Sequence, residues 1–241
     1  IRSSSCFFSN NCISTLGGKR LKNILFLARE DDNLSDQARD LLIRRGFNVV
    51  EVRTRRRGDS SPDLLSMNVD LVIAFRSYLI VERELLEKVG GRAINFHPGP
   101  PEYPGTGGIN FALYEGRENF GVTCHFMNEF IDSGPIIMSK RTPIFSEDNV
   151  TSLLERTHKD LLELFSHFCE VMDGISWDTN GLHENGETWS HHRKTSHDLN
   201  EMQIVPLPVD SEELTRRIRA FHTEQFPLSI SLHGRTFRLD Q

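Results

Sequence analysis

Residues 23–53, NILFLAREDDNLSDQARDLLIRRGFNVVEVR, decide the fold. NILFLA is a short unbroken apolar run, the pattern of a strand buried on both faces. NLSDQARDLLIRRG has apolar residues at helical spacing, with Ser35 as the expected N-cap and Gly46 closing the helix. FNVVEVR reads as a second strand, and strands joined through a helix lie parallel. The alternation continues. DLVIAF (70–75) is a third apolar run, VERELLEKVGG a short helix ended by glycines, and RAINF (92–96) a fourth strand. GINFALYEG then reads as a helix, VTCHFMN and PIIMSKRTPI as strands, and Asp148 to Met172 as a long amphipathic helix. The expected fold is α/β, a Rossmann-like, mostly parallel sheet with helices on both faces.

Three segments follow from this reading. Residues 23–175 form the main domain. Residues 1–22 have apolar patches broken by Ser and Asn, unlike a secretory signal, and are set apart as a disordered or non-native extension. Residues 176–241 form an appendage: an irregular connector rich in Asp, Asn, Gly, His and Ser, a short helix in SEELTRRIRAFH, and a hairpin in FPLSISLHGRTFRL turning at His233-Gly234.

Against 28 Lys and Arg stand 34 Asp and Glu, a net charge of -6, which disfavours a nucleic acid or an anionic membrane as partner. No run of eighteen apolar residues suggests a membrane span. Cys6, Cys12, Cys124 and Cys169 are scattered, which argues for a reducing compartment, the cytoplasm, over a disulfide framework or zinc cluster.

The chemistry centres on INFHPGPP (94–101). In an extended segment Asn95 and His97 share one face while Phe96 points into the core. The loop after them, rich in proline and glycine, leaves the carboxyl end of a strand, where α/β sheets bind ligands. Its GTGG (105–108) could present backbone N–H groups to an anion. Neither the dinucleotide glycine fingerprint nor the phosphate-loop motif is present. In FIDSGPII, Asp132 sits in a turn between two strands. If those strands neighbour RAINF, Asp132 reaches the rim occupied by His97. Asn, His and Asp together suit acyl transfer to an amine: Asp orients and charges the imidazole, the imidazole manages the amine proton, and Asn donates to the developing oxyanion. His125, among apolar neighbours, reads as a hydrogen-bonded core or rim histidine, and HHRKTSH (191–197) as a solvated loop rather than a metal site.

Residues 70–145 resemble the catalytic domain of the formyltransferases that use 10-formyltetrahydrofolate. The resemblance rests on AFRSYLI after the third strand, NFHPGPPEYPGTGG, the GVTCH strand and the IDSG turn, in that order. It implies that Asn95, His97 and Asp132 are catalytic and that no metal takes part. It also places the folate's pterin-like ring at Phe75, Arg76, Ser77, Tyr78, Leu79 and Ile80, with Ile131 lining the same slot. The acceptor is expected at Pro98, Gly99, Tyr103, Gly107, Gly108 and Asn110. Many relatives have a basic residue after the tyrosine of this loop, and here Arg193 and Lys194 are the candidates for a pyrophosphate.

Within that family the sugar N-formyltransferases match best. The glycinamide ribonucleotide enzyme would show a Gly-Ser-Asn loop after the first strand, where this chain has NILFLAREDDNLSD. The methionyl-tRNA enzyme would carry a sizeable basic carboxyl-terminal domain, and the deformylase an amino-terminal regulatory domain. The resemblance thus implies transfer to a nucleotide-linked 4-amino-4,6-dideoxyhexose (dTDP or GDP) for surface polysaccharide (O-antigen), by a homodimer. A formyltransferase acting on methionyl-tRNA or glycinamide ribonucleotide, or a silent folate- or sugar-nucleotide-binding scaffold, is the alternative.

Overall fold

The computed structural model describes residues 15–16, 19–172 and 186–239. A two-residue antiparallel pair, β1 (Thr15–Leu16) with β2 (Lys19–Arg20), precedes the main sheet. Four parallel strands follow: β3 (Asn23–Arg29), β4 (Asn48–Thr54), β5 (Leu71–Phe75) and β6 (Ala93–His97). The strand β7 (Asn119–Phe126) runs antiparallel to β6, and β8 (Ile136–Pro143) antiparallel to β7. Their order in space is β4-β3-β5-β6-β7-β8. The expected α/β architecture is observed, with its parallel part at one side and an antiparallel pair at the other.

The unbroken apolar runs have a simple cause: successive side chains serve opposite layers. Ile24 and Phe26 join Ile73, Phe75, Ile94 and Phe96 on one face, under α1 (Asn33–Arg44) and α4 (Val150–Val171). Leu25, Leu27, Val72 and Ala74 face the other way, onto Leu85 and Leu86 of α2 (Arg83–Lys88). Phe165 of α4 is the centre of the first layer, its ring 4.8 Å from that of Phe96 and 5.2 Å from that of Phe75.

A further apolar cluster joins α3 (Gly108–Tyr114) to α6 (Ser211–Phe221), with Phe111, Leu113, Phe120, Leu153 and Phe221 at its heart. Asn110 Nδ2 donates to Ala220 O at 2.7 Å across the same joint. The carboxyl-terminal part is therefore packed into the molecule. It ends in the expected hairpin of β9 (Ser229–Leu232) and β10 (Arg235–Arg238), turning through the positive φ angles of His233 and Gly234.

Three details differ from the sequence reading. The N-cap of α1 is Asp32, whose carboxylate accepts from Ser35 N at 3.0 Å, so that Ser35 lies in the first turn. Leu21 is buried in the main core and Lys22 N–H donates to Asp70 at 3.0 Å, so the residues set apart as 1–22 include two that belong to the domain. In the expected connector lies a helix, α5 (Ser196–Met202), held by a reciprocal cap between Thr195 and Asp198. Residues 1–14, 17–18, 173–185 and 240–241 lie outside the described residues.

Removing the Phe165 ring should leave a cavity between the helices and the sheet. Phe165→Ala is expected to cost about 3–5 kcal/mol in urea unfolding. His158 on α4 is pushed down to about 4, first by burial, then by the Arg76 and Arg29 charges, with Asp32 opposing. An unfolded histidine titrates at about 6.5, so in that interval the unfolded chain binds the extra proton. Stability should fall as pH drops from about 6.5 towards about 4, and urea midpoints across that range should show His158→Gln losing this dependence.

Candidate active site

Asn95 and His97 project from the same side of β6, and Phe96 from the other, into the core. Pairing with β7 sets Asn95 opposite His125 and His97 opposite Thr123. Directly opposed residues share a face, so His125 arrives beside the asparagine. The turn between β7 and β8 brings Asp132 over both, with a backbone φ of 47°. Such an angle is costly for a residue with a side chain and persists where its surroundings hold it.

Here the surroundings are hydrogen bonds and charge. Asp132 Oδ2 accepts from Gly105 N at 2.9 Å and lies 3.3 Å from His97 Nδ1. Its Oδ1 lies 3.4 Å from Asn95 Nδ2 and 3.6 Å from His125 Nε2. Burial opposes the charge on Asp132, but His97 beside it and the Gly105 N–H outweigh it and hold the carboxyl well below the usual carboxylate range. Asp132 is therefore an anion at neutral pH.

Hydrogen-bond partners then decide the other groups. His125 Nδ1 lies 2.7 Å from Phe126 O, a pure acceptor, so this nitrogen carries the proton. In the neutral ring Nε2 is left to accept from Asn95 Nδ2, at 3.1 Å. The amide of Asn95 is thereby oriented: its nitrogen faces His125 and Asp132. Both nitrogens of His97 face oxygen, Asp132 on one side and Tyr103 O at 3.1 Å on the other. A proton on either nitrogen therefore has an acceptor in place.

This group opens onto a cavity of about 450 Å³ at the carboxyl ends of β3, β5 and β6. Asn95, His97 and Asp132 line it, as do Arg76, Ser77, Tyr78, Leu79, Ile80 and Ile131 from the segments assigned to folate. Phe75 does not; it is fully buried among Phe26, Phe96 and Phe165. Of the residues assigned to the acceptor, Pro98 and Gly107 line the cavity. Gly99 and Gly108 serve close packing against His97 and Tyr103. The Tyr103 side chain is buried, its hydroxyl donating to Glu115 at 2.6 Å and accepting from Arg117 at 2.9 Å, so that only its carbonyl meets His97. Asn110 ties α3 to α6. Arg193 is exposed away from the cavity lining, and Lys194 Nζ lies 4.3 Å over the Phe111 ring.

The basic lining comes instead from Arg29, Arg57 and Arg76. Arg29 Nε donates to Arg76 O at 2.8 Å and its guanidinium lies 4.2 Å over the Tyr78 ring. Arg29 and Arg57 carry no motif, and only the sheet order reveals that Arg29 and Arg76 are neighbours. His125 was legible as a hydrogen-bonded rim histidine, but its link to Asn95 depends on the β6–β7 register. Trp189, from the irregular connector, had no sequence signal; its ring lies 4.9 Å from that of His125.

Residues 23–167 match the family model described as formyl transferase. The chain belongs to that family. A phosphoribosylglycinamide formyltransferase of Haemophilus influenzae is 30% identical over 42% of this chain, and the chain spans about half (49%) of that relative's length. Two solved structures share the fold. A 4-N formyltransferase from Francisella tularensis superimposes with a TM-score of 0.72, at 19% identity, over 91% of this chain and 97% of its own. An N-formyltransferase from Helicobacter canadensis, solved with folinic acid and dTDP-3-aminofucose, gives 0.65 at 18% identity, over 89% and 85%.

A Cβ at Gly99 would stand 2.6 Å from His97 Nε2. Gly99→Ala should swing the imidazole off Tyr103 O and lower turnover about a hundredfold, the scale of a misplaced reacting group. Thermal unfolding would show that the fold survives.

Proposed function

We propose that this chain transfers the formyl group of 10-formyltetrahydrofolate to the amino group of a nucleotide-linked 4-amino-4,6-dideoxyhexose, carried on dTDP or GDP, for surface polysaccharide (O-antigen). The observation that carries this reading is the meeting of Asn95, His97 and an ionised Asp132 at one open cavity. The cavity suits the donor. Ile80 and Phe130, 69% and 66% exposed, are apolar side chains held at its lining instead of in the core, as a flat ring requires of its walls. The folinic acid and the dTDP-linked 3-amino sugar bound by the Helicobacter relative support the choice of donor and nucleotide, and the Francisella relative, a 4-N formyltransferase, supports the choice of amine.

When bound, the donor supplies the formyl carbon; the net reaction joins it to the acceptor nitrogen and leaves one amine proton on the tetrahydrofolate nitrogen. Asp132 holds the His97 ring in place through Nδ1. His97 carries the proton between the two nitrogens. Asn95 stabilises negative charge on the formyl oxygen by turning one N–H away from Asp132: the 3.4 Å contact is the weaker of its two and is the one to exchange, while the 3.1 Å contact to His125 anchors the amide. Prolines and glycines after His97 keep the loop rigid and open so that donor and acceptor can meet there.

The reading includes a cytoplasmic homodimer. Phe226, Leu232 and Phe237, on and beside the hairpin, are exposed apolar side chains and support contact with a second copy.

The test combines the protein with 10-formyltetrahydrofolate and a panel of dTDP- and GDP-linked amino sugars, followed by mass spectrometry. A sugar nucleotide one formyl group heavier is the expected product, and His97→Asn should lower its rate about a hundredfold. Wild-type turnover in that variant would remove His97 from the mechanism. Formate without formylated sugar would reassign the reaction to hydrolysis.

A further inference from the structure

The loop after His97 and the turn carrying Asp132 are both bound from outside by one segment, residues 187–195. Ser190 N donates to Pro101 O at 2.9 Å and Lys194 N to Pro104 O at 3.1 Å, while Lys194 O accepts from Thr106 N at 2.9 Å. At the other loop, Trp189 Nε1 donates to Gly134 O at 2.7 Å, two residues beyond Asp132. That turn has no slack, since a Cβ on Gly134 would stand 1.9 Å from Phe126 O. The indole also meets both imidazoles edge-on: its ring is 5.8 Å from that of His97 at 73° and 4.9 Å from that of His125 at 82°. Trp189 is not among the residues lining the cavity, so it reaches the histidines from outside it.

We propose that Trp189 is a positioning residue that keeps the site a transferase. It fastens the Asp132 turn against His97 and His125 and denies water the side of the pair that faces away from the cavity. This rests on the proposed formyl transfer. The competing step is hydrolysis: water oxygen bonds to the formyl carbon, the carbon–nitrogen bond of the donor breaks, formate leaves, and a water proton ends on the tetrahydrofolate nitrogen. A dry back wall disfavours that step in two ways. It removes one route for water, and it strengthens the attraction between Asp132 and His97 by lowering the local dielectric.

Two variants separate positioning from mere support. Trp189→Phe keeps a ring beside the histidines and loses the bond to Gly134; Trp189→Ala loses both. Formate released per formylated acceptor is expected to rise about tenfold in Trp189→Ala and less in Trp189→Phe, alongside a fall in transfer of about tenfold or more in Trp189→Ala. An unchanged ratio in both variants, whatever the absolute rate, overturns the proposal, because a purely structural role slows both reactions together.

A second arm needs no substrate. The chain has two tryptophans, so Trp177→Phe leaves Trp189 as the lone indole. Imidazole in contact quenches indole emission. At a single pH the emission should therefore rise in His97→Asn and in His125→Gln. Emission unchanged in both overturns the placement of Trp189. A rise in both in a protein that consumes no formyl donor would instead overturn the formyl-transfer reading, and with it the water-excluding role, while leaving the contact established.

Discussion

The carboxylate of Asp132 is the interaction on which the rest of the site depends. An ionised group buried to 7% exposure is costly unless it is paired and hydrogen-bonded. Its partners come from separate parts of the chain: His97 and Asn95 from β6 and Gly105 from the loop after it, while His125 of β7 fixes the Asn95 amide. Satisfying one charge thus closes the loop, the turn and two strands onto one another. It also justifies the left-handed backbone at Asp132, since the angle that is unfavourable locally is the one that turns the carboxylate inward.

The sheet explains why this happens at β6 and β7. From β3 the chain moves outward to β4, then returns past β3 to β5 and β6. The reversal leaves a crevice at the carboxyl ends of β3 and β5, where Arg29 and Arg76 sit. The switch to an antiparallel β7 then sets the second half of that strand beside Asn95 and His97. His125 and Thr123 come into register with them for that reason, and Thr123 Oγ1 fastens the loop through Gly99 O at 2.8 Å. A parallel neighbour would have placed different residues there.

Around this centre the molecule uses packing in place of further charge. The His97 loop is held by Tyr103, whose side chain is buried with Phe111 and Phe120 and whose hydroxyl is paired with Glu115 and Arg117. The α3–α6 joint shares that cluster, which links the carboxyl-terminal hairpin to the loop mechanically. Trp189 closes the outer side. Loops carry the chemistry, and each is backed by a rigid element.

Much of this was legible in the sequence because it rests on local rules. Apolar runs and helical spacing gave the order of strands and helices, alternation put Asn95 and His97 on one face, and His233-Gly234 marked the hairpin turn. The formyltransferase motifs supplied the expectation of a trio. What stayed hidden depends on which distant segments meet. Asp32 displaced Ser35 as a cap because two adjacent acceptors compete for one helix start, and composition does not rank them. Phe75, Tyr103 and Asn110 went to packing, and Arg29 and Arg57 replaced Arg193 and Lys194 as the basic lining, because strand order and loop path assign a side chain to core or cavity. The amide orientation of Asn95 follows from the tautomer of His125, which follows from a carbonyl one residue further along β7 and from the β6–β7 register. The sequence by itself determined the elements and the chemical groups; the tertiary structure alone decided which of those groups touch, because hydrogen bonds and burial act across space and spacing along the chain does not encode them.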